Sequence, residues 1–104
     1  MKLALVTLAG AALLVAGGAQ AQSAEDLLKK HTCTACHAND KKLVGPAYKD
    51  VANKYRGDAK AAAMLADKVK KGGSGTWGPV PMPPNANVPD ADIKTMVAYV
   101  LGLK

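Results

Sequence analysis

The chain has 104 residues, with 14 Lys and Arg against 8 Asp and Glu, a formal charge of +6 at pH 7, and there is room in it for one small domain. At 49% hydrophobic and 21% charged residues it is too apolar for its charge to be a long disordered chain. Two cysteines exclude a multi-disulfide scaffold, and three Tyr, one Trp and no Phe give little bulk for a core, so either the domain is marginal or something besides side chains fills its centre.

Met1-Lys2 supplies a short positive start, and Leu3 to Ala16 is an almost unbroken run of Leu, Ala and Val. Gly17-Gly18 breaks any helix, and Ala19-Gln20-Ala21 has the small-x-small pattern of a cleavage site. These are the three parts of a secretory signal peptide, with cleavage expected after Ala21 and a mature domain of 22–104. The apolar run of 14 residues is short of the roughly 20 that a membrane span needs, so no span is expected in the mature form. An exported, periplasmic protein keeps its thiols oxidised or otherwise committed.

Ser23 with Asp26 three residues later resembles a capping box, predicting a helix from Ala24 through Leu27 and Leu28 towards Cys33. Residues 38–46 are mixed and end in the turn signal Gly45-Pro46, and a short helix is predicted around Ala47 to Tyr55, stopping before Gly57. Asp58 is a candidate cap for the next helix, where Ala62, Leu65, Ala66 and Val69 recur at helical spacing. Lys68, Lys70 and Lys71 sit where the helix dipole favours cations, and Gly72 suits the C′ position. A last helix is predicted from near Asp90, with Ile93, Met96, Val97, Val100 and Leu101 on one face. No stretch alternates with period two, so the expected class is all-α with no strands. Residues 72–90, GGSGTWGPVPMPPNANVPD, hold four Gly and five Pro in 19 residues, which excludes helix and central strand. So long a loop in so small a domain needs a job, and its prolines suit a stiffened loop that presents particular side chains.

Cys33-Thr34-Ala35-Cys36-His37 is a C-x-x-C-H. On a helix, positions three apart share a face, so both sulfurs can add across the two vinyl groups on one edge of a haem and form thioethers. His37, next in sequence, is then held under the iron as the proximal ligand. A thioredoxin-like pair would want a βαβ context, and a zinc site would have only His31 and His37 to join the cysteines. A plain Cys33–Cys36 disulfide stays open; covalent haem is favoured because motif, export signal and missing core bulk agree.

The sixth ligand has four candidates: Met64, Met82, Met96 and His31. Met64 and Met96 fall on predicted helices beside apolar neighbours, as core filler does. His31 lies too near the proximal side to cross the ring and reads as surface. Met82, pinned between prolines in the stiff loop, is the choice, because a soft thioether suits ferrous iron and raises the potential relative to bis-nitrogen ligation.

The C-x-x-C-H, the block Leu43-Val44-Gly45-Pro46-Ala47-Tyr48-Lys49-Asp50-Val51-Ala52 and the block Trp77-Gly78-Pro79-Val80-Pro81-Met82-Pro83-Pro84-Asn85 together resemble the small bacterial cytochrome c-551 family, in family order and over essentially the whole mature chain. The resemblance implies the small class I cytochrome c fold, about four short helices around one covalently attached haem c, with the terminal helices crossing. It further implies that the Pro46 carbonyl accepts a hydrogen bond from His37 Nδ1, which would fix the ring and make the ligand more basic. By the same resemblance, Trp77 donates its indole N–H to a haem propionate and Asn85 hydrogen-bonds towards the Met82 sulfur. Lys68 stands where the family often has another basic residue near the propionates.

Lys29, Lys30, Lys41, Lys42, Lys49 and Lys54 flank the haem-binding segment and could ring an exposed haem edge to steer an acidic redox partner, or simply be solvated. Dispersed basic residues and a single Trp argue against nucleic-acid binding. The expectation is a monomeric periplasmic electron carrier cycling Fe(III)/Fe(II) between respiratory redox proteins, and not an enzyme. A peroxidase or gas-binding protein would need an open sixth position, and a thiol–disulfide exchanger would need free cysteines.

Overall fold

A computed structural model describes residues 22–104. The segment expected to be a cleaved signal peptide, 1–21, lies outside the described residues. Four helices and one hairpin follow in chain order: α1 (Ala24–Lys30), a single 3-10 turn (Cys33–Ala35), α2 (Tyr48–Tyr55), α3 (Ala61–Lys71), β1 (Gly73–Gly75), β2 (Gly78–Met82) and α4 (Asp90–Leu101). The four short helices match those expected of the small class I cytochrome c fold, and a small two-stranded sheet is added to them.

Helix α1 starts as the capping pattern predicts, with Ser23 Oγ accepting from the Asp26 backbone N–H at 3.1 Å. It ends earlier than predicted, at Lys30, because Thr32 takes a left-handed conformation with φ 59°. That geometry costs a β-branched residue roughly 1–2 kcal/mol, and it redirects the chain before the cysteines. Asp58 serves the start of α3 at one remove: its Oδ1 accepts from the Lys60 backbone N–H at 2.9 Å in the turn before Ala61. On α3, Leu65, Ala66 and Val69 pack against the core as their spacing predicts, whereas Ala62 is exposed and Ala61 is buried in its stead.

The core gathers Leu27 and Leu28 of α1, Tyr48 and Val51 of α2, and Ile93, Met96, Val97 and Val100 of α4, with Val88 from the preceding loop. Helix α4 packs on each of the other three helices, which is why its apolar stripe is broad. A second tie joins α4 to the chain just before the cysteines: His31 Nε2 donates to Asp92 Oδ2 at 3.1 Å. The His31 side chain is only 13% exposed, so the surface reading is corrected. A pattern search for apolar periodicity misses this pair because it is a polar contact across 61 residues.

The expectation of no strands is also corrected. Within the Gly/Pro-rich segment, β1 and β2 pair antiparallel, Gly73 with Met82 and Gly75 with Gly78, around the two-residue turn Thr76–Trp77. Both strands of a two-stranded ribbon are edges, where prolines such as Pro79 and Pro81 are tolerated. Gly75 (φ 106°) and Gly78 (φ 114°) flank the turn at backbone angles that L side chains rarely adopt. The ribbon shows no period-two alternation of apolar and polar residues because it has no face buried against a layer.

Candidate functional site

Cys33 and Cys36 lie at the two ends of the 3-10 turn, and the Cys36 backbone N–H donates to the Cys33 carbonyl at 3.1 Å. The sequence reading placed them on an α-helix; the tighter turn serves the same end, because side chains three apart eclipse one another in it. Burial pushes the Cys33 thiol above the usual range. After the turn the chain loops back on itself. The Gly45 N–H donates to the Cys36 carbonyl at 2.8 Å, and the Tyr48 N–H to the Ala38 carbonyl at 2.9 Å.

That loop encloses the His37 ring on several sides. Nδ1 donates to the Pro46 carbonyl at 2.8 Å, the contact expected from the resemblance. A carbonyl only accepts, so the bond puts the proton on Nδ1 and leaves the Nε2 lone pair of the neutral ring free for a metal. Tyr48 stacks on the ring with centroids 5.0 Å apart and planes 20° from parallel. Gly45 presses against it: a Cβ there would stand 2.5 Å from Cε1 and 2.9 Å from Nδ1. Gly45→Ala is therefore expected to push the imidazole out of place and to destabilise the protein by about 1–3 kcal/mol. Denaturant unfolding and the haem spectrum of the variant check this, and a variant that matches the parent in both would contradict it.

His37 opens onto a cleft of about 310 Å³ that is also lined by Cys33, Cys36, Trp77 and Met82. Core residues Leu28, Val51, Met96, Val97 and Val100 line it as well, so it reaches the centre of the domain. Among the described residues five large apolar side chains are exposed: Leu43, Val44, Met64, Trp77 and Val80. All but Leu43 line the cleft, which concentrates the exposed apolar surface of the described residues there. Met64, read from sequence as core filler, is instead a 39% exposed rim residue, whereas Met96 is buried as predicted. Lys42, Asp50 and Lys68 are the charged residues of the lining.

Met82 reaches the cleft from the end of β2, and the C-terminal end of α3 fixes its backbone. Gly72 (φ 74°) packs so closely that a Cβ would lie 2.5 Å from the Met82 carbonyl oxygen. Asn85 anchors the chain just beyond. Its backbone N–H and its side-chain Nδ2 both donate to the Val69 carbonyl at 3.1 Å, and Nδ2 also donates to the Pro83 carbonyl at 3.2 Å. The side-chain amide is thus committed to backbone carbonyls rather than to the Met82 sulfur, a departure from the expectation. Lys70 completes the grip, donating to the Val88 carbonyl at 2.8 Å and pairing with Asp90 at 3.0 Å.

The cleft fits a flat apolar group with a ligatable metal at its centre. It offers two thiols on one short turn, an imidazole with its lone pair free, a thioether, and two lysines near the opening. Tyr48 adds a further sign: its hydroxyl is buried and has no hydrogen-bond partner among the described residues. Leaving such a group unpaired costs about 1–3 kcal/mol. Sequence reasoning missed the plate formed by Gly45 and Tyr48, although the run Gly45-Pro46-Ala47-Tyr48 was on view; a stacking contact leaves no periodicity. Among the described residues, no group of three or more His, Cys, Asp and Glu could hold a metal ion on its own, and no helix is long and apolar enough to cross a membrane.

Comparison with known proteins agrees with this chemistry. The sequence profile of the cytochrome c family matches residues 21–104. The chain is similar to cytochrome c-552 of Nitrosomonas europaea, 55% identical over 96% of this chain and 95% of that one. It is also similar to cytochrome c-551 of Pseudomonas aeruginosa, 52% identical over 97% of this chain and 96% of the other. Among solved structures, wild-type Nitrosomonas europaea cytochrome c552 superposes with a TM-score of 0.75 at 54% identity, covering 77% of this chain and all but 1% of that one. The class 1 cytochrome MtoD of Sideroxydans lithotrophicus superposes with a TM-score of 0.65 at 33% identity, over 77% of this chain and 91% of the other. The family is one of small electron carriers whose cofactor is covalently bound haem c with its iron. Profile, relatives and fold agree over the described domain, and the chain belongs to the cytochrome c family.

Proposed function

We propose that the chain is an exported, periplasmic monohaem electron carrier with His/Met-ligated iron, passing electrons between respiratory redox proteins and catalysing no substrate chemistry. Cys33 and Cys36 would hold the haem through two thioethers, and His37 and Met82 would be its axial ligands. When bound, the haem supplies a one-electron Fe(III)/Fe(II) couple.

One observation carries the reading: a free, oriented His37 Nε2 shares a single apolar cleft with both cysteines and Met82. The chain's own residues tune that couple. Pro46 and Gly45 keep the imidazole in one tautomer and one orientation, so little rearrangement accompanies a change of charge at the metal. The apolar lining from Val51, Val97 and Val100 excludes water, which disfavours the more highly charged oxidised centre. Trp77, 41% exposed in the cleft wall, and Lys68 would meet the propionates at the opening. Asn85 would serve by holding the Met82 segment onto α3.

Docking would bring a partner to the apolar rim. Lys41 and Lys42 are exposed beside it, while Lys49 is paired with Asp40, so only part of the lysine set is free to steer an acidic partner. Voltammetry of the haem-loaded protein tests the assignment as a carrier. A reversible one-electron wave with no catalytic current on adding peroxide is expected. A wave that turns catalytic with peroxide would make the protein an enzyme instead.

A further inference from the structure

Lys54 lies outside the ligand set and is exposed on α2, yet its ammonium is directed at two aromatic rings. Its ammonium nitrogen sits 5.7 Å from the centroid of the Trp77 ring and 5.8 Å from that of Tyr55. The local alternative was at hand. Asp50 is four residues earlier on α2, the orientation in which an acidic and a basic side chain pair most readily on a helix surface. Among the described residues Lys54 makes no such ion pair, and its charge goes to the two aromatic faces.

Trp77 is half of the two-residue turn at the tip of the hairpin, and Met82 is the last residue of its second strand. The base of that hairpin is fixed by Gly72 against the Met82 carbonyl and by Asn85 on Val69. Among the described residues the tip has no comparable hydrogen-bonded anchor: the hydrogen bonds that tie this segment to helices are at its base. With the Met82 carbonyl held at the base, a displacement of the tip at Trp77 twists β2, and the Met82 side chain at the end of that strand turns with it.

We propose that Lys54 is a positioning residue, a cation that clamps the hairpin tip through Trp77 onto α2 and thereby steadies the arm presenting Met82. The functional part of this rests on Met82 being the sixth ligand. The clamp also places a positive charge beside Trp77. A neutral residue at this position removes the clamp, and an arginine keeps it, because guanidinium stacks on aromatic faces at least as well as ammonium.

The test uses haem-loaded protein. In the ferrous form, nuclear Overhauser contacts are expected between the Lys54 ε-methylene and the Trp77 ring protons; their absence overturns the clamp. In the ferric form, the temperature at which the near-infrared sulfur-to-iron band disappears is compared with the loss of helical circular dichroism. In Lys54→Gln the band is expected to vanish a few degrees earlier while the helices melt as before, and Lys54→Arg restores the parent behaviour. An unchanged band temperature in Lys54→Gln, a fall of band and helix together, or a Lys54→Arg that behaves like Lys54→Gln overturns the proposal. A parent protein with no band would instead remove Met82 as the ligand, and the Lys54–Trp77 contacts would still be readable.

Discussion

Protein matured in a host with c-type haem assembly is expected to keep its haem through acid–acetone extraction, and Cys33→Ala with Cys36→Ala is expected to lose it entirely. The two sulfurs stand at the ends of one 3-10 turn, three residues apart and on one side of it. Each single variant should retain at most one thioether and accumulate at lower yield. The mass of the exported parent protein should equal that of residues 22–104 plus one haem, which also checks cleavage after Ala21. A mass equal to the bare chain, or haem extracted from the parent, would exclude covalent attachment.

Removing the sixth ligand should have the next largest effect. Met82→Ala is expected to abolish the near-infrared sulfur-to-iron band and to lower the reduction potential, a change drawn from the roughly 0.8 V range that axial ligation commands. Met64 and Met96 are the discriminating controls. Met96 is 3% exposed in the core, and Met96→Leu conserves volume, so it should cost less than about 1.5 kcal/mol and keep the band. Met64→Leu should keep the band too, even though Met64 lines the same cleft. If Met64→Leu removes the band and Met82→Ala leaves it, the ligand assignment is wrong.

What could be read in advance follows from how local each signal is. Caps and apolar stripes depend on residues three or four apart, so Ser23, the end of α2 before Gly57 and the buried face of α4 are legible in the sequence. The motif Cys33-Thr34-Ala35-Cys36-His37 is local too, and spacing rather than helix type matters, so a 3-10 turn does the work assigned to an α-helix. The hairpin was hidden because its strands are glycine- and proline-rich and pair with nothing else, leaving no alternation to detect. Contacts between distant segments were hidden for the same reason in another form. His31 with Asp92, Lys54 with Trp77 and Asn85 with Val69 join residues whose types say nothing of one another. Met64 was misplaced because helical spacing cannot distinguish a core from a cleft wall when the space beside the wall is meant for a cofactor.

Both axial positions taken by side chains of this chain would make a carrier rather than a gas-binding protein or a peroxidase. The visible spectrum of the ferrous protein, recorded before and after saturation with carbon monoxide at neutral pH, tests this most directly. Superimposable spectra are expected. A shifted Soret band with the α and β bands collapsed would show an open or readily vacated sixth position and contradict the assignment.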